Sequence, residues 1–159
     1  MTSTAGIVTA VFALAACGGS SGPATRFNAA LAGAYEVPVN QSAATGTASY
    51  TVNGTTVNYT ITYTGLSSAP TGSHIHVGPA GINGSVVVPF TGLPATTSGT
   101  FSGSFTASNV GAGTAGGVTI TAGSLDSLLT AMRAGNTYTN VHAASPYAGG
   151  EIRGQNQPQ

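Results

Sequence analysis

His74, Ile75 and His76 place two of the three histidines of this chain two residues apart, and Val141-His142 supplies the third. On a β-strand, side chains i and i+2 leave the same face with Cα atoms about 6.5–7 Å apart, so both imidazoles can close on one small target. Imidazole nitrogen suits copper, zinc or nickel, and three such nitrogens leave a coordination position for water or a substrate. Copper comes first on the Irving–Williams order and zinc second. The alternative is that strand imidazoles simply hydrogen-bond to their neighbours, and spacing alone does not separate the two.

Charged side chains are scarce: Glu36, Asp126 and Glu151 stand against Arg26, Arg133 and Arg153, with no lysine, and together make up 4% of 159 residues. Glu151 is a candidate acceptor for an imidazole N–H, which would fix the ring's tautomer. The competing role is an ion pair among Glu36, Glu151 and Arg153 that locks the last strand. Three arginines cannot form the basic surface that binds nucleic acid, or a polybasic patch that holds anionic lipid. Zero net charge with 41% hydrophobic residues excludes a disordered chain. No Ser, His and Asp set has motif support. The glycines at 78, 81 and 84 lead into Val86-Val87-Val88, a strand pattern, rather than into a phosphate-binding helix. Glu36 and Glu151 are the one pair left for glycosidic chemistry, and nothing in the sequence brings a sugar to them.

The elements that must position these residues are strands. Phe27, Ala29 and Leu31 alternate with smaller or polar residues, and Pro38 confines the next segment to an edge or a connection. Tyr50 and Val52 precede Asn53-Gly54, and Val57, Tyr59, Ile61 and Tyr63 follow it, with polar residues between. This pattern predicts a hairpin turned at Asn-Gly, with one buried and one wet face. The histidine strand, an apolar strand at Val86–Phe90, another over Gly99–Thr106, one at Tyr138–His142 and a closing one around Ile152 complete the series. One helix is predicted: Leu125, Leu128, Leu129 and Met132 form an apolar stripe, Ser124 caps the start, Asp126 and Arg133 suit the helix dipole, and Gly135 stops it. Many short strands with a single helix predict an all-β fold, an antiparallel Greek-key-like β-sandwich or barrel, without an internal repeat or a second domain.

Near the start, an apolar run from Ile7 to Ala16 is too short to span a bilayer and ends in Leu14-Ala15-Ala16-Cys17. It resembles the lipobox of bacterial lipoproteins. That likeness implies a signal peptide over residues 1–16, a lipidated Cys17, and a flexible Gly/Ser tether over 17–26. No Lys or Arg precedes the run, which departs from the usual pattern. A β-strand over Gly6–Phe12 is the alternative.

Phe27-x-Ala29-x-Leu31-x-Gly33, Glu36-Val37-Pro38, His74-Ile75-His76-x-Gly78-x-Ala80-Gly81-x-Asn83-Gly84, Gly135-Asn136-x-Tyr138-x-Asn140-Val141-His142 and Gly150-Glu151-Ile152-Arg153-Gly154-Gln155 occur in that order. Together they resemble the CHRD domain, a family named after chordin and found in many bacterial secreted proteins and lipoproteins. Val39 stands where the family often has a second proline, and Ala143 where threonine is common. The resemblance implies an extracytoplasmic β domain over residues 27–155 with a tail at 156–159. It implies fold more than chemistry. The His-x-His strand with a later Val-His strand is also similar to the copper ligands of copper-zinc superoxide dismutases. Carried over, His74, His76 and His142 become copper ligands. The fourth, bridging histidine, the zinc loop and the cysteine pair of those enzymes are missing. The expectation is therefore a cell-surface or secreted binding module with a three-histidine copper site, its partner an extracellular protein, a polysaccharide or another copy of itself. Membrane contact would come only through the lipid anchor. The alternative is a structural or adhesive module that self-assembles by strand addition.

Overall fold

A computed structural model describes residues 22–159. Cys17, the apolar run before it and the tether up to residue 21 lie outside the described residues.

The elements in chain order are β1 (Arg26–Ala32), β2 (Thr45–Asn53), β3 (Thr56–Thr64), β4 (Gly72–Val77), β5 (Val86–Pro89), β6 (Gly99–Thr106), β7 (Gly113–Ala115), β8 (Val118–Ile120), α1 (Leu125–Arg133), β9 (Thr137–His142), β10 (Ile152–Gln155) and β11 (Gln157–Pro158). Nine strands form one antiparallel sheet in the order β5-β4-β9-β10-β1-β2-β3-β6, with β11 also on β1, and β7-β8 form a separate hairpin. The all-β expectation holds, as a curled half-barrel sheet with one α-helix among the described residues.

Alternation builds one half of this sheet. Phe27 and Leu31 on β1, Tyr50 on β2, Val57, Ile61 and Tyr63 on β3, and Phe101 and Phe105 on β6 all turn inward and are buried. Each such side chain contributes about 1.5–3 kcal/mol by leaving water. The intervening positions form the wet face, where Thr62 and Thr100, and Thr60 and Ser102, hydrogen-bond across strands. The curl brings the ends of the sheet together: the rings of Tyr59 on β3 and Phe90, just after β5, are 4.4 Å apart. Tyr50 also hydrogen-bonds Thr139 across the interior, tying β2 to β9.

The hairpin turn falls one residue later than the Asn-Gly pattern predicts. Asn53 pairs with Thr56, so Gly54 and Thr55 are the central residues, and Gly54 takes the positive φ of 60° at the first of them. The helix matches its prediction, with Ser124 Oγ accepting from the Ser127 N–H. Residues 156–159 are more than a tail: Asn156 is fully buried and β11 pairs with β1.

On β4 the core-facing residues are Ser73, Ile75 and Val77, so His74 and His76 point to the outer side of the sheet. That side is itself covered. The β4–β5 loop, residues 78–85, folds back over β9 and β10, and His76, Tyr138, Asn140 and Arg153 beneath it are buried.

Candidate metal centre

β4 and β9 run antiparallel with Gly72 opposite His142, His74 opposite Asn140 and His76 opposite Tyr138. This register puts all three histidines on one face. Their ligand atoms lie within 4.8 Å of one another, with His76 buried and the other two partly open to solvent. His74 Nδ1 and His142 Nε2 are 3.2 Å apart. An ion holding nitrogens at about 2.0–2.1 Å in a tetrahedral arrangement separates them by about 3.3–3.4 Å, so this pair already has the spacing of two ligands.

Two rings are oriented by backbone carbonyls. His76 Nδ1 lies 2.9 Å from Gly84 O, and His142 Nδ1 lies 2.9 Å from Ala148 O. A carbonyl accepts, so each Nδ1 carries the proton and each Nε2 is left with a lone pair. His142 Nε2 accepts from His74 Nδ1, and Asn140 Oδ1, itself an acceptor, lies 3.1 Å from it. His76 Nε2 is buried and has no hydrogen-bond partner among the described residues. Such an atom normally costs about 1–3 kcal/mol.

The electrostatics favour neutral rings. Burial, reinforced by the neighbouring His142 and His76, pulls His74 down to about 4. His76 is also lowered, again by burial first. Both are unprotonated at neutral pH, the form that binds a metal.

His76 is held from the side as well. Its ring stacks on Tyr138 at 4.8 Å and 7°. The Arg153 guanidinium carbon lies 3.3 Å from the centroid of the same ring. Arg153 also donates to Asn83 Oδ1 and Ile82 O, while the Asn83 amide donates to Val37 O. The Gly84 N–H donates to the Tyr138 hydroxyl. The glycine-rich loop is therefore pinned to the sheet by Arg153 and Tyr138, and it presents the carbonyl that orients His76. Gly84 itself is pressed against β4: a Cβ there would lie 1.7 Å from Val77 O.

Glu36, Glu151 and Arg153 are all buried, but they do not act as one cluster. Glu151 accepts from Ser42 Oγ at 2.7 Å, from Ser67 Oγ at 2.8 Å and from the Ser67 N–H at 2.9 and 3.1 Å. Its side-chain hydrogen bonds go to two loops and to neither an imidazole nor Arg153 among the described residues. The His76 and His142 N–H groups take backbone carbonyls instead. Glu36 feels the charge of Arg153, yet burial outweighs it and pushes the carboxyl up to about 7. Asn140 and Tyr138 are the side chains that sequence reasoning passed over. Their signal was present in Tyr138-x-Asn140-x-His142, which sets both on the face of the third histidine.

An outward three-histidine cluster on a curled antiparallel sheet, roofed by a glycine-rich loop, defines a β domain with a candidate metal centre. Residues 27–156 match the CHRD domain family, and the chain belongs to that family. No curated protein and no solved structure matches it. The CHRD domain is generally extracellular, and no helix among the described residues is long and apolar enough to cross a membrane.

Proposed function

We propose that this protein is an extracytoplasmic binding module that holds one transition-metal ion, copper before zinc, through His74, His76 and His142. The observation that carries this reading is His76 Nε2: a buried lone pair without a partner among the described residues, beside two further imidazole nitrogens. A metal ion satisfies it, and copper(II) is favoured by an all-imidazole donor set. The ion would also replace the His74–His142 hydrogen bond, with the His74 proton moving to its Nε2 so that the ring binds as a neutral imidazole. The partly open side of His74 and His142 leaves room for a water or a ligand from a partner. The proposal extends to location, with Cys17 as a lipid attachment point that tethers the module to the envelope.

Metal analysis of untagged protein, alongside a double variant carrying His74→Ala and His142→Ala, tests the site. The wild type should retain close to one copper per chain after exposure and desalting, and the double variant a trace. Equal copper in both removes the site. Mass spectrometry of the mature N-terminus tests the anchor separately.

A further inference from the structure

Asn140 shares the face on which the three histidines meet. It stands on β9 opposite His74, between Tyr138 and His142, so its side chain leaves the sheet on the histidine side. The residue is 3% exposed. Its Oδ1 lies 3.1 Å from His142 Nε2, which in turn lies 3.2 Å from His74 Nδ1. Burial lowers both His74 and His76, and the Asn140 side chain opposes it at each ring. One amide thus reaches all three imidazoles.

Its contact with His142 brings two acceptors together. His142 Nδ1 turns the ring's proton towards Ala148 O, which leaves Nε2 with a lone pair. An amide oxygen likewise offers lone pairs only, so Oδ1 gains no hydrogen bond from this nitrogen. A buried acceptor facing another acceptor is destabilising, and a cation bonded to both reverses the sign. The spacing suits such an ion. Nitrogen at about 2.0–2.1 Å and oxygen at about 2.0–2.2 Å from one metal stand about 2.9–3.4 Å apart, for angles between square and tetrahedral. Both the Asn140–His142 and the His142–His74 separations fall in that range.

We propose that Asn140 Oδ1 is the fourth protein ligand of the metal ion, completing a set of three nitrogens and one oxygen with His74 Nδ1, His76 Nε2 and His142 Nε2. The inference rests on the three-histidine reading and adds a donor from the strand that carries His142. Imidazole nitrogen and amide oxygen, without sulfur, suit copper(II) rather than copper(I). The partly open side at His74 and His142 is then the place of a fifth ligand.

Copper(II) titration and electron paramagnetic resonance of untagged wild type, Asn140→Leu and Asn140→Asp test the assignment. Asn140→Leu nearly keeps the size of the side chain and removes its oxygen. Copper affinity should fall about tenfold or more, at least what the loss of a group supporting a ligand costs. The copper hyperfine splitting should change as well, because the donor set changes. Asn140→Asp keeps an oxygen and should bind at least as tightly as wild type. Asn140→Val, which suits a β-strand, takes the place of the leucine variant if that protein does not fold. Wild-type affinity in Asn140→Leu overturns the proposal. Tighter binding overturns it too, by making the Asn140 NH2 group a donor that competes for His142 Nε2. Weaker binding with an unchanged spectrum makes Asn140 a packing residue and also overturns it. A wild type that takes up no copper removes the three-histidine reading and this one together, whereas failure of this one alone leaves copper bound to the wild type.

Discussion

The His76 ring lies flat on Tyr138, with centroids 4.8 Å apart and planes within 7° of parallel. Tyr138 sits on β9 between β4 and β10, and the Arg153 guanidinium covers its ring from the β10 side. The tyrosine is thus clamped between a cation and an imidazole. Its hydroxyl accepts from the Gly84 N–H, in the residue whose carbonyl orients His76. One residue fixes the ring from its face and, through the loop, from its edge.

Tyr138 variants should separate these two actions. Tyr138→Phe keeps the stack, loses the Gly84 contact and should cost about 1 kcal/mol in urea unfolding. Tyr138→Ala should cost about 3–5 kcal/mol and weaken copper binding as well. If Tyr138→Ala binds copper as wild type does, the stack has no part in positioning His76.

Gly84→Ala is the sharpest probe of the loop. The added Cβ would fall 1.7 Å from Val77 O and 2.7 Å from Ala115 Cβ, so the loop must lift. A loss of about 1–3 kcal/mol is expected, with copper affinity down about tenfold because the carbonyl facing His76 Nδ1 moves. Unchanged affinity would show that this carbonyl does not hold the ring.

Glu151→Ala should be destabilising by about 2–4 kcal/mol, since it removes the acceptor for Ser42 and Ser67. Copper affinity should stay within about twofold, whereas a carboxylate supporting a ligand histidine costs about 10–100-fold when lost. A drop of that size would return Glu151 to the metal site.

The pH dependence of the metal-free protein has two opposed parts. His74 falls from an ordinary 6.5 to about 4 on folding, so the unfolded chain binds more protons between those values. Its contribution is fully present above pH 6.5 and is lost as pH falls towards 4. Glu36 rises from 4.5 to about 7, so its contribution is present below 4.5 and is lost as pH rises through 7. Denaturant unfolding of Glu36→Gln should therefore show a stability gain over wild type that grows from pH 4.5 to above 7. A gain that shrinks with rising pH contradicts the assignment.

Much of this fold was legible because one half of the sheet obeys a simple rule. Residues 45–64 alternate between core and water, and the hairpin follows directly. The other half hides its pattern. β9 is buried at five successive positions, Thr137 to Val141, because the core covers one face and the 78–85 loop the other. Alternation therefore says nothing there about which face is which. The spacing of His74 and His76 gave a shared face, but not the β4–β9 register that brings in His142, which depends on a pairing between segments far apart in sequence. The fate of Glu151 was illegible for a similar reason. Its partners, Ser42 and Ser67, lie 109 and 84 residues away in loops without a motif.

Calorimetric titration of copper(II) into untagged, metal-free wild type and His76→Ala is the most direct test of the metal centre. His76 Nε2 has no hydrogen-bond partner among the described residues, so losing this nitrogen removes a ligand lone pair without breaking a hydrogen bond at that atom. The expected result is one copper per wild-type chain and an affinity about 100-fold or more lower in His76→Ala, a loss of about 2.7 kcal/mol. Superimposable isotherms for the two proteins would contradict a three-histidine site.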